Sequence, residues 1–162
     1  MADISPGSIG LATFQLLNGL DQADNIRRAG DLQQRINEFN AEFAELDGYN
    51  AWKSGLKEAN RYTAEVDKAL GEQQVAFAVN DVDATYGTAA KVVQESKLTA
   101  FLNQLDIQNK AFADANNYKR QAVNYRLGGG LARAQAEINA SATQSAAIMN
   151  AGSTLLSGYG KK

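Results

Sequence analysis

The sequence predicts an all-α fold: a long antiparallel helical hairpin with a broken C-terminal helix, assembling into an oligomeric ring or tube. Three observations carry this. Proline occurs once, at Pro6, so no later residue imposes a proline break. Apolar residues recur at spacings of three and four over long stretches, the period of a helix. One cluster of turn-forming residues, Asn80-Asp81-Val82-Asp83 followed by Gly87-Thr88, divides the chain near its middle. The only strand-like run, VAFAV at 75–79, lies between helical neighbours.

Residues 1–20 form a short apolar N-terminal segment, and Asp21 stands as an N-cap before the first long helix. In that helix Leu32, Ile36, Phe39, Phe43 and Leu46 follow one another at steps of four, three, four and three. They make an apolar stripe on one face, suited to a core or to a coiled-coil seam. A kink is expected at Gly48, after which Trp52, Leu56, Val66 and Leu70 carry the pattern to about Val79. The hairpin therefore spans 21–127 with its turn at about 80–88. Its second arm carries Val92, Leu98, Leu102, Leu105 and Phe112, and Thr88 is the expected cap. Gly128, Gly129 and Gly130 are expected to break the arm as a hinge, and an Ala- and Ser-rich helix fills the rest of 128–162.

With the turn centred near residue 84, residue i is expected to lie opposite about 168 minus i. The packing residues are then Leu32, Ile36, Phe39, Phe43, Leu46 and Trp52 on one arm and Leu98, Leu105 and Phe112 on the other, serving the hairpin or an oligomer. The chain contains 28 Ala and 26 Asn plus Gln, so its faces are shallow. Burial stabilises by roughly 25 cal/mol per Å² of apolar surface. Such arms bury too little alone and need further copies or other proteins.

Chemistry is sparsely supplied. Histidine and cysteine are both absent, which removes the usual acid–base group, the Ser–His and Cys–His pairs, disulfides and thiolate metal sites. Glu42, Glu45 and Asp47 read as the polar side of an amphipathic helix. Asp81 and Asp83 do not open a calcium loop, because Tyr86 and Val92 stand where Gly and Glu are needed. The expectation is a non-enzyme without cofactor or metal. The N-terminus has no basic region of a secretory signal, and no run approaches the roughly 20 apolar residues of a membrane span.

Charge is uneven although the net is −2. Residues 1–80 hold 7 basic and 12 acidic residues, and residues 81–162 hold 9 and 6. Lys119, Arg120, Arg126 and Arg133, interleaved with Tyr118 and Tyr125, suit either an acidic protein partner or a DNA backbone without sequence specificity. Leu11, Phe14 and Leu17 near one terminus and Ile148, Leu155 and Leu156 near the other suit contact with a membrane. A single fold would bring these two groups together.

The order of motifs resembles the small internal virion (core or ejectosome) proteins of short-tailed, podovirus-type bacteriophages. GSIGLATFQLLNGL is followed by the Asn/Gln-rich helix DLQQRINEFNAEFAEL, the turn NDVDATYGTAAKV, the basic segment NYKRQAVNYRLGGG and the end AGSTLL. The similarity covers most of the chain, and each motif alone is of low complexity. Asn80-Asp81 and Tyr86 depart from the glycine and small residue usual in that turn. The resemblance implies a ring of copies in the capsid core near the portal, alongside other internal core proteins. It also implies ejection into the host envelope, with contact to the outer membrane, as part of a conduit for the genome. A structural head–tail or portal adaptor that stays in the particle, and a DNA-contacting packaging accessory, are the alternatives.

Overall fold

The computed structural model describes residues 6–159. Two helices, α1 (Pro6–Val79) and α2 (Gly87–Tyr159), pack as an antiparallel hairpin, with no strand among the described residues. The described residues divide into two compact units, one built from the chain up to Ala41 with the chain from Val123, the other from Glu42–Ala122.

The turn ends α1 by a Schellman motif. The Val82 N–H donates to the Phe77 carbonyl at 2.9 Å and the Asp81 N–H to the Ala78 carbonyl at 3.2 Å. This geometry places Asp81 in the left-handed region at φ 54°, a conformation Asp tolerates better than most side chains. Gly87 follows at φ 68°, where only glycine is unstrained. Between them the Asp83 carboxylate accepts from the Thr85 hydroxyl at 2.6 Å and from its N–H at 2.8 Å. Those two bonds hold the Asp83 carboxyl below the ordinary value of 3.8. Their contribution to the turn is present above 3.8 and is lost as pH falls through the lowered value. Asp83→Ala is expected to remove this acid-side dependence from thermal unfolding curves, and unchanged curves would show that the turn does not need it.

The arms meet through small residues. In the first unit a Cβ on Gly19 would overlap that of Ala147, and one on Gly30 would overlap that of Ala136. Gln15 accepts from the Thr154 hydroxyl at 2.9 Å. In the second unit Gly55 stands against Ala111 in the same way, and Gly48 against Ala115 and Tyr118. Opposed residue numbers sum to about 166 in each unit, two fewer than expected. Val66 accordingly shares a cleft with Thr99 and Ala100, and the expected Leu102 is not among its lining residues.

The contacts repeat every eleven residues: Ser8, Gly19, Gly30 and Ala41 on α1; Ala136, Ala147 and Gly158 on α2 in the first unit. In the second unit Ala89, Ala100, Ala111 and Ala122 continue the spacing. Eleven residues make three turns at 3.67 residues each, so this face drifts little around a helix of 3.6. A seam of this kind stays in register without the strong supercoil a heptad would impose. Among the described residues the buried apolar ones are thirteen alanines and Val93. Burying one methyl-sized group is worth about 0.8 kcal/mol, against 1.5–3 for a Leu or Phe.

Three expectations are corrected here. The stripe of Leu32, Ile36, Phe39, Phe43 and Leu46 is not the hairpin seam, for these residues are 46–60% exposed. Leu98 and Phe112, at 60% and 58%, also lie outside it. Backbones that approach this closely leave no room for large side chains, which are turned outward. Trp52 and Leu105 are half-buried, and Trp52 meets Phe112 edge-on with ring centroids 6.2 Å apart.

Second, α1 runs on from Pro6, so Asp21 lies within it and is not its N-cap, and α1 does not kink at Gly48, which is buried in the seam. Third, α2 does not break at Gly128, Gly129 and Gly130. Only Gly129 faces the other arm, where a Cβ would lie 3.0 Å from that of Asn37 and 3.3 Å from the Gln34 Cα. Gly128 and Gly130 have nothing within 4 Å. Gly128→Ala and Gly130→Ala should therefore each raise stability by about 0.5–1 kcal/mol through helix propensity, whereas Gly129→Ala should not. Thermal unfolding of the three single variants checks this, and three equal shifts would contradict it.

Candidate assembly surface

Turning the seam residues inward leaves many of the large apolar side chains on the outer faces of the helices. At 100° per residue, Phe39 is nine positions from Gly30 and so lies diametrically opposite it on α1. Leu131 bears the same relation to Ala140 on α2, and Ile138 to Gly129. Leu32, Ile36 and Phe39 thus cluster about the outward face of α1 in the first unit. Leu127, Leu131 and Ile138, each more than 60% exposed, do so on α2. This distribution removes ordinary amphipathicity, because small apolar residues line the inside and large ones line the outside.

The same unit brings together the two terminal groups expected to share one end. Ser8 touches Gly158, Gln15 meets Thr154 and Gly19 meets Ala147. Leu11, Phe14, Leu17, Ile148 and Leu156 are exposed beside these contacts, and Leu155 is half-buried. No helix of the described residues is long and apolar enough to cross a membrane.

Two arginines are engaged between the arms of the first unit. Arg133 pairs with Asp31 at 3.3 Å and donates to Gln34 at 3.3 Å, tying α2 to α1. From the other arm Arg27 pairs with Glu137 at 3.4 Å and donates to Gln144 at 3.0 Å. In the second unit Lys119 borders a cleft of about 340 Å³ with Glu45, Tyr49, Trp52 and Phe112. Exposed pairs of this kind stabilise by only 0–1 kcal/mol each, so they select register more than they hold the fold. Arg120 is exposed, and Arg126 also has a bonded or electrostatic partner.

No polar or charged side chain is buried among the described residues, and no group of three His, Cys, Asp or Glu is placed to hold a metal ion. The clefts between the arms are open furrows lined by mixed side chains, such as Tyr62, Val66, Leu70, Val92 and Glu95. The stripe expected to serve the hairpin or an oligomer is thus an outward apolar face that the opposite arm does not cover. Leu127 and Leu131 fall outside the expected contact residues, although their positions nine residues before Ala136 and Ala140 place them on this outward face.

No protein family, curated protein or solved structure matches this chain.

Proposed function

We propose that this chain is a non-enzymatic internal virion protein of a short-tailed bacteriophage. In this reading it is a ring-forming core component near the portal that is ejected into the host envelope to help form the conduit for the genome. One observation carries the assembly part: the large apolar side chains face outward while alanine and glycine fill the interior. A chain built in this way leaves apolar area that other copies or other core proteins must cover. The phage part rests on the sequence resemblance from GSIGLATFQLLNGL to AGSTLL. The termini, gathered at one place with Leu11, Phe14, Leu17, Ile148 and Leu156 exposed, supply the surface for the host outer membrane. Several copies together would be needed there, with polar faces lining a lumen.

Comparing the protein content of filled particles with that of particles emptied onto host cells tests this. Loss of the chain on emptying supports ejection. Retention would instead make it a head–tail or portal adaptor. The pairing of Arg133 with Asp31 weighs against a packaging accessory built on the basic segment. Salt-dependent retention on DNA by the intact protein would restore that reading.

A further inference from the structure

The two helices differ in charge as well as in sequence. α1 carries 11 acidic and 7 basic residues, a net of −4, and α2 carries 7 basic and 4 acidic, a net of +3. Each also presents large apolar residues on the face turned away from the seam. A contact between two α1 faces, or between two α2 faces, would cover apolar area while opposing like charge. A contact between α1 of one copy and α2 of the next covers the same area with opposite charge.

The amount of surface calls for such a partner. The chain exposes 11688 Å², whereas a compact monomer of 17.4 kDa exposes roughly 7,900 Å². The excess of roughly 3,800 Å² lies in the range that obligate interfaces bury.

We infer that the outward face of α1, at Leu32, Ile36 and Phe39, docks on the outward face of α2, at Leu127, Leu131 and Ile138, of a second copy of this chain. The contact is heterologous, because the two patches differ. The growing assembly therefore keeps one α1 face at one end and one α2 face at the other after each addition, and it proceeds until the rotation closes. An isologous dimer would use up its single patch and stop. The inference rests on the ring-forming part of the reading above and specifies its interface. It does not depend on where the ring sits.

Copies standing level would keep between them the pairing that holds within one, numbers summing to about 166, which sets Ile36 beside Leu131. The chain has no cysteine, so introduced thiols report alone. Ile36→Cys and Leu131→Cys are prepared separately, mixed and oxidised, with Leu127→Cys and Ile138→Cys as partners one to two turns away. At least tenfold more cross-linked dimer in a mixture than in either variant alone is the expected result. The double variant Ile36→Cys/Leu131→Cys should give a ladder of multimers, since its two thiols lie on opposite faces and cannot reach each other within one chain. Efficient self-linking of Ile36→Cys would overturn the inference in favour of an isologous contact. An oligomer in sedimentation with no cross-link in any mixture would also overturn it, leaving ring formation intact. A native chain that sediments as a monomer at every concentration would sink both.

Discussion

Gly55→Leu lowers the stability of the hairpin by about 2 kcal/mol, roughly 4–8 °C in the unfolding midpoint for a chain of this length. A Cβ at position 55 already overlaps the Ala111 Cβ and comes close to the Ala111 backbone. Backbone and a methyl bonded to it cannot rotate aside, so the arms must separate locally and nearby seam contacts loosen. Gly71 provides the control, for nothing lies within 4 Å of it. Gly71→Ala should gain about 1 kcal/mol, the ordinary helix-propensity difference, whereas Gly55→Ala should lose stability despite the same propensity gain. Calorimetry of the three variants decides the matter. Equal effects of alanine at 55 and 71 would mean that the arms do not approach closely.

Serine at Leu32, Ile36 and Phe39 together should leave helix content unchanged and abolish self-association. Exposed positions usually change stability by no more than about 0.5 kcal/mol each. Were these residues the hairpin seam, truncating them would cost about 2–5 kcal/mol apiece and unfold the chain. At a well-packed intermolecular contact a central apolar side chain is worth about 2 kcal/mol or more, near 30-fold in affinity. Three such losses carry the dissociation constant beyond working concentrations. Circular dichroism and sedimentation velocity on the same sample separate the outcomes. Retained fold with lost assembly is expected, while lost fold would return the stripe to the interior.

Both experiments address the point at which local sequence patterning misleads. Five large apolar residues at steps of four and three do identify one face of α1. Spacing alone says that this face needs covering and is silent on what covers it. Helix propensity likewise reads Gly48 and Gly128–Gly130 as breaks, because a glycine costs about 1 kcal/mol in an isolated helix. In the hairpin Gly48 and Gly129 sit where another side chain would push the arms apart, so close packing offsets that cost. Gly128 and Gly130 are carried along in a helix whose neighbouring turns are held by the opposite arm.

The sequence by itself determined the helical class, the single turn and its chemistry, the pairing of the arms to within two residues, and the meeting of the terminal segments. These follow from local rules: one proline near the start, an Asp able to adopt the left-handed region at position 81, and a chain folded once. Which face turned inward was decided only by the tertiary structure. Helical backbones gain dispersion contacts where they approach closely, and small residues such as Ala, Gly and Ser permit that approach. The eleven-residue ladder from Ser8 through Gly19 and Gly30 to Ala41 therefore took the seam. Leu32, Ile36 and Phe39, although more hydrophobic, were left on the outside by their size.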